Sequence, residues 1–225
     1  MFNKSQKYSS RPYTIINCAM SVDGKLALPS RKPIKLSSPE DFRRVHELRN
    51  YCDGVLVGIN TIIMDNPKLT VKPEYVSNVR QPTRIILDTQ ARTPQDSAVL
   101  NGGAKTYIVV GKKLKSKNIG FKNAEIIYCN YDEDGKLNLK ELLSILKHKG
   151  IENLLVEGGE TIIYNFLKNG LTDELLIYVS NVIIGGTSAP TLAGGTGAKS
   201  ADDLIKMKLL SCELMGDGLL LKYQL

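Results

Sequence analysis

Glu157-Gly158-Gly159 sets a carboxylate and two glycines between an apolar run, Leu154-Leu155-Val156, and an amphipathic stretch, Thr161-Ile162-Ile163-Tyr164-Asn165-Phe166-Leu167. The order reads as strand, tight turn and helix, with Ile162, Ile163, Phe166 and Leu167 on the apolar helix face. A helix N-terminus offers free N–H groups and a positive dipole end, and glycines let a pyrophosphate approach the backbone. Glu157 then stands at the carboxyl end of its strand, where ligands bind in open α/β sheets. A close turn with no ligand fits the same stretch, and both readings stay open on these residues alone. Asn60-Thr61 forms a second strand-to-helix corner, where Asn and Thr are also ordinary helix caps. A third strand end, after Asp88, runs into Thr89-Gln90-Ala91-Arg92-Thr93-Pro94 and carries a guanidinium.

The elements that would position these groups can be read in order. Tyr13–Met20 is rich in β-branched and aromatic residues and predicts the first strand, closed by the turn signal Asp23-Gly24. Lys25–Leu28 continues as a short extended segment. Ser38 caps a helix with Pro39 at its first position, and Asp41 falls where a capping-box carboxylate would sit. That helix runs to about Tyr51, with Phe42, Val45, Leu48 and Cys52 as its apolar stripe. Arg43, Arg44, Glu47 and Asn50 face solvent or a ligand. Gly54–Gly58, Thr83–Asp88, Thr106–Gly111, Glu125–Tyr128 and Glu174–Val179 read as strands, and Val182–Gly186 leads into a long loop. Ile62–Asp65 is a short helical turn, Pro67–Lys72 runs extended, and Leu139–Lys149 is a helix closed by Gly150. Met207–Leu214 and Leu219–Tyr223 form a hairpin through Gly216-Asp217-Gly218. Strands alternating with helices predict an α/β fold with a mostly parallel central sheet flanked by helices and a C-terminal antiparallel hairpin.

Composition narrows the classes. The 225 residues are 42% hydrophobic, enough for one substantial core, so residues 12–225 are expected to form a single domain behind a flexible leader at 1–11. No window reaches the length of a membrane span and the first residues lack the apolar core of a signal peptide, so a soluble, cytoplasmic protein is expected. Cys18, Cys52, Cys129 and Cys212 are far apart and read as buried free thiols. His46 and His148 have no metal-ligand spacing, and no metal is expected. The formal charge of +7 is dispersed, without a basic run, which argues against nucleic acid as a partner. Gly194-Gly195-Thr196-Gly197-Ala198-Lys199-Ser200 superficially resembles a phosphate-binding P-loop, but Ala198 stands where glycine must precede the lysine and no apolar strand leads in. The Rossmann glycine fingerprint, the serine elbow and the zinc-deaminase signature are all missing.

Four segments in order resemble the riboflavin-pathway reductase family: Ala19-Met20-Ser21-Val22-Asp23-Gly24-Lys25, Asp53–Thr61, Asp65-Asn66-Pro67-Lys68-Leu69-Thr70-Val71 and Val156-Glu157-Gly158-Gly159. The family includes the reductase half of the bacterial bifunctional deaminase-reductase and stand-alone archaeal and fungal enzymes. The chain is similar to it over nearly all of 12–223, and the missing deaminase signature makes it resemble the stand-alone archaeal type. The resemblance implies a dihydrofolate-reductase-like fold, NADPH as cofactor with NADH as the alternative, and a homodimer. It puts cofactor contacts on Ala19, Thr61, Asp65, Thr89, Gln90, Arg92, Gly158, Gly159, Glu160 and Thr161. Substrate contacts fall on Lys35, Arg49, Leu69, Lys72 and Glu157. Arg92 suits the 2′-phosphate of NADPH, since a guanidinium fork matches phosphate oxygens. Arg49, Lys35 and Lys72 can neutralise a substrate phosphate. Bacterial members carry a lysine where this chain has Asn17, so no electrophilic lysine is assumed there.

The implied activity is NADPH-dependent reduction of the ribosylamino side chain of a phosphorylated diaminopyrimidinone to the ribitylamino form, in riboflavin biosynthesis. The nicotinamide carries the difficult chemistry, so the protein mainly positions the reactants and excludes water. Glu157, Asn17 and Asp23 are the candidate catalytic residues, Glu157 as the anchor of the pyrimidine. A pterin or dihydrofolate reductase of the same fold is the nearest alternative. A non-catalytic nucleotide-binding module is the alternative from another class.

Overall fold

The computed structural model describes residues 10–32 and 34–225. The leader expected at 1–11 therefore lies almost wholly outside the described residues. The chain resolves into two compact units, one of His46–Leu155 with the chain up to Tyr13, the other of Thr14–Val45 with Val156–Leu225.

The first unit is built on parallel strands. Its strands are β2 (Gly54–Gly58), β3 (Thr83–Leu87), β4 (Thr106–Gly111), β5 (Glu125–Cys129) and most of β6 (Asn153–Val156), in the order β5-β4-β3-β2-β6. β2, β3, β4 and β5 pair in parallel, with Leu56 opposite Ile85, Ile86 opposite Ile108 and Val109 opposite Ile127. The near-continuous Val/Ile/Leu runs of β2, β3 and β4 are buried, as parallel strands covered on both faces require, whereas β5 buries only Ile127 and Cys129. Each such side chain contributes roughly 1.5–3 kcal/mol by leaving water. α2 (Ile59–Asp65) and α3 (Leu139–His148) belong to this unit. Asn138 caps α3 by accepting from the Glu141 N–H at 3.1 Å, and Gly150 takes a positive φ of 86° just past its end.

The second unit holds β1 (Tyr13–Met20, from Thr14), β7 (Glu174–Val179), β8 (Lys208–Met215) and β9 (Gly218–Gln224), in the order β1-β7-β9-β8. β1 and β7 are parallel, with Asn17 opposite Leu176 and Ala19 opposite Tyr178. β9 runs antiparallel to β7, and β8 antiparallel to β9. This is the mostly parallel sheet with a C-terminal antiparallel hairpin that the element order predicts. α4 (Glu160–Lys168) buries Ile163, Phe166 and Leu167. α1 (Pro39–Tyr51) begins in this unit, and Ser38 accepts from the Asp41 N–H at 3.2 Å, as its capping position predicts.

Several expectations need correcting. α2 starts at Ile59, not Ile62. Asp41 does not complete a capping box; its carboxylate turns to Arg44 instead. Arg44 is buried rather than facing solvent, so the buried face of α1 is partly ionic. Cys18, Cys52 and Cys129 are buried free thiols, whereas Cys212 is exposed on β8. Among the described residues no helix is long and apolar enough to cross a membrane, and no acid, His or Cys cluster could hold a metal.

Candidate active site

In the second unit, Asn17 and Ala19 lie two residues apart on β1 and so share one face of the sheet. Asn17 is 6% exposed, and its Oδ1 accepts from Arg44 Nη2 at 2.7 Å. Arg44 is itself fixed by Asp41, whose Oδ1 receives Nη2 at 2.6 Å and Nε at 2.9 Å. The neighbouring Cys18 thiol is pushed up to about 12, chiefly by burial, so it stays protonated and unreactive.

Asp23 is committed to the backbone. Its Oδ1 accepts from the Ser21 hydroxyl at 2.6 Å and the Ile184 N–H at 3.0 Å, and its Oδ2 from the Gly185 N–H at 2.7 Å. These bonds, the Ser21 hydroxyl foremost, hold its carboxyl down to about 2. The Val182–Gly186 stretch thus ties two of its N–H groups to a side chain.

Glu157 is half-buried at the end of β6, and the backbone turns immediately after it. Gly158 has φ 120° and Gly159 φ 87°, conformations that L side chains rarely adopt, and a Cβ on either would meet nothing within 4 Å. Gly159 is the N-cap of α4 and supplies no side-chain cap, so the backbone N–H groups of the first turn point at whatever lies in front of the helix. Glu160 and Thr161 form that turn. The Glu160 carboxylate is already engaged, with Oε1 3.0 Å from Arg31 Nη2 and Oε2 accepting from the Thr191 N–H at 3.3 Å. Of Glu160, the backbone remains the group suited to a phosphate. Lys35 is exposed in the loop before α1.

Sequence reasoning missed what holds the glycine-rich loop near this corner. The Gly194 N–H donates to the Glu160 carbonyl at 3.2 Å, and Tyr164 Oη donates to the Gly197 carbonyl at 3.0 Å. A Cβ on Gly195 would fall 2.4 Å from the Tyr164 ring. The segment that superficially resembles a P-loop is therefore a strap fastened to the first turns of α4. Its glycines permit close packing on Glu160 and Tyr164.

In the first unit, the structure brings Arg49, Leu69 and Lys72 together. Arg49 Nη1 donates to the Thr70 carbonyl at 3.3 Å, and Leu69 is buried with φ 52°. The Lys72 N–H donates to His46 Nδ1 at 3.2 Å, while Gln81 brackets Val71 by accepting from its N–H at 2.8 Å and donating to its carbonyl at 2.9 Å. His46 stacks on Tyr75 with ring centroids 4.8 Å apart. His46 and Gln81 act as supports for the 69–72 segment, and only their contacts reveal it.

The remaining cofactor candidates also belong to the first unit. Thr61 is half-buried on α2, and Asp65 is exposed at its end. Arg92 Nη2 lies 3.3 Å from Asn60 Oδ1, which joins the guanidinium to the α2 corner. The Thr89-Gln90-Ala91-Arg92 turn is held from beneath by Asp88, whose Oδ2 accepts from the Thr93 N–H and hydroxyl, both at 2.7 Å. In the second unit the two positive-φ glycines, with free space at their Cβ positions, and the uncapped start of α4 suit a pyrophosphate; in the first unit the exposed Arg92 guanidinium suits a phosphate.

The fold is that of dihydrofolate reductase: the enzyme from Enterococcus faecalis superposes over 94% of this chain and 95% of its own, with TM-score 0.51 at 8% identity. A diaminohydroxyphosphoribosylaminopyrimidine deaminase/5-amino-6-(5-phosphoribosylamino)uracil reductase from Thermotoga maritima superposes better, with TM-score 0.79 at 24% identity, over 95% of this chain and 56% of that one. A 2,5-diamino-6-ribosylamino-4(3H)-pyrimidinone 5′-phosphate reductase from Methanothermobacter thermautotrophicus is 38% identical over 215 residues, covering 95% of this chain and 98% of the relative. The chain belongs to the RibD C-terminal domain family, which matches residues 12–221.

Proposed function

We propose that this chain reduces the ribosylamino side chain of 2,5-diamino-6-(ribosylamino)pyrimidinone 5′-phosphate to the ribitylamino form in riboflavin biosynthesis, with NADPH as reductant. The observation that carries the reading is the corner at which Glu157 is followed by two positive-φ glycines and an uncapped helix. It supplies a carboxylate for pyrimidine amino groups directly beside a backbone seat for pyrophosphate. The family match across 12–221 includes residues of both units and supports treating them as one functional domain.

When bound, the nicotinamide supplies the hydride for the ring-opened side chain. The chain's own residues bind and orient. Gly158, Gly159 and the first-turn N–H groups of Glu160 and Thr161 hold the pyrophosphate, with Ala19, Thr61, Asp65, Thr89 and Gln90 along the remainder of the cofactor. Arg92 takes the 2′-phosphate. Arg49, with Lys35 and Lys72, neutralises the substrate phosphate, and Leu69 packs beside it. Glu157 accepts from the pyrimidine amino groups, and Asn17 hydrogen-bonds the reacting end. Asp23 contributes by pinning Ile184 and Gly185, since a carboxyl held near 2 has no proton to give at neutral pH.

The protein acts in the cytoplasm as a homodimer. The association is supported by β8, the outer strand of its sheet, which exposes Leu209 (52%) and Leu214 (86%) along an unpaired edge. Leu209→Lys with Leu214→Lys converts a dimer to a monomer in sedimentation if that edge is the interface; an unchanged sedimentation coefficient refutes it.

The test of activity is NADPH oxidation with the pyrimidine phosphate, following the ribityl product, with dihydrofolate as the comparison substrate. Stoichiometric oxidation with the pyrimidine supports the reading. Tight nucleotide binding without turnover, or turnover of dihydrofolate alone, overturns it.

A further inference from the structure

Arg44 and Asp41 sit in the second unit as a buried ion pair that stability alone does not explain. Asp41 is 1% and Arg44 8% exposed. Arg44 Nη1 and Asp41 Oδ2 are buried with no hydrogen-bond partner among the described residues. Buried pairs with unsatisfied atoms commonly contribute less stability than apolar side chains of the same volume. The pair's remaining contact is directional: Arg44 Nη2 donates to Asn17 Oδ1 at 2.7 Å.

A guanidinium has donors only, so the Asn17 atom facing it must be the amide oxygen. That contact removes the usual ambiguity between the two ends of an asparagine amide. It leaves the Asn17 NH2, a group with two donors and no acceptor, for anything else the side chain meets. Asp41 in turn fixes Arg44 through Nε and Nη2, and the Asp41 N–H is anchored on Ser38. The chain of contacts runs from the first turn of α1 to β1.

We propose that Arg44 is a positioning residue for the reduction: it holds the Asn17 amide so that its NH2 donates to an acceptor atom of the substrate. This rests on the placement of Asn17 at the reacting end proposed above. Arg44 acts through Asn17 and does not itself touch the substrate.

A double-mutant cycle in kcat and KM, with thermal unfolding of each variant, tests it. Arg44→Met and Asn17→Ala are each expected to lower kcat about tenfold and leave KM for NADPH unchanged, because misplacing a reacting group costs this much or more. The two together lose no more than either alone, since a positioning residue has nothing to position once Asn17 is gone. Asn17→Asp still accepts from Arg44 but has no donor at neutral pH, and it is expected to be as impaired as Asn17→Ala. Losses that multiply in the double variant, wild-type kcat in Arg44→Met, or an active Asn17→Asp overturn the proposal. If Arg44→Met fails to fold, Asp41→Asn/Arg44→Met takes its place in the cycle, as it leaves no buried charge unpaired. No turnover by the wild-type chain refutes the proposed function itself. Wild-type turnover with an unimpaired Asn17→Ala refutes only the role of Asn17 and this inference with it.

Discussion

The β2–α2 corner and the β6–α4 corner are two solutions to the same turn from strand into helix. At the first, Gly58 has φ −83° and ψ 157°, a conformation open to any residue, and side chains meet the ligand side: Asn60 holds Arg92, and Thr61 lies half-buried beside it. At the second, two consecutive glycines adopt positive φ, with Gly158 buried and Gly159 exposed at the helix start. Under the proposed function, one corner recognises its ligand through side chains that could be exchanged. The other does so through a backbone path that only glycine follows without strain.

The most severe way to break the contrast is at the carboxylate before the glycines. Glu157→Ala is expected to lower kcat with the pyrimidine phosphate about 100-fold or more, and Arg49→Ala to do likewise, with far-UV circular dichroism unchanged. Wild-type-like activity in either removes that residue from the site. Next comes the backbone: Gly159→Ala should cost about 1–3 kcal/mol in urea unfolding, whereas Gly58→Ala should stay within about 0.5 kcal/mol. Equal costs at the two glycines would erase the distinction. Arg92→Ser addresses the side-chain corner and should raise KM for NADPH about tenfold while leaving NADH unaffected, as loss of one phosphate clamp predicts. A parallel rise for NADH would move Arg92 off the 2′-phosphate.

The smallest effect concerns Asp23, whose folded-state carboxyl is depressed from 3.8 to about 2. A depressed carboxyl contributes stability that is fully present above about pH 4 and is lost as pH falls through about 2. Asp23→Asn should flatten acid unfolding in that window and leave the pH dependence above about pH 4 unchanged. An unchanged acid transition would show that Ser21, Ile184 and Gly185 do not hold the carboxylate in solution.

The parts of the fold that follow local rules were legible from the residues. β1 has the bounds Tyr13–Met20 that its β-branched pattern gives, and Ser38-Pro39 opens α1. The glycine corner was legible as well, because strand, turn and helix are each encoded next to one another. What escaped were side-chain contacts that apolar patterning does not encode, some of them between residues distant in sequence. Apolar spacing in α1 picks out Phe42, Val45 and Leu48, and counting apolar residues cannot reveal that Asp41 and Arg44 are buried as a pair. Val182–Gly186 has strand-like composition, but Asp23, some 160 residues earlier, takes its Ile184 and Gly185 N–H groups. Cys212 looks like a core thiol in isolation, yet the strand that carries it is an open edge.

The turn of the β8–β9 hairpin closes on the start of α1. A Cβ on Gly216 would lie 2.5 Å from Glu40 Oε2 and 2.6 Å from Ser38 Oγ, and Asp217 Oδ1 accepts from Tyr178 Oη at 3.0 Å. The second unit is thus assembled from the two ends of the chain, Thr14–Val45 and Val156–Leu225. During synthesis the residues from His46 to Leu155 leave the ribosome as one continuous stretch before β7 and the hairpin. The segment bearing Asn17, Asp41 and Arg44 is separated by the whole of that stretch from β7 and the hairpin, with which it shares the second unit. A chain stopped before residue 174 would lack β7, which pairs with β1 from Ile15 to Met20, and the residues proposed to hold the substrate's reacting end would lose the strand beside them.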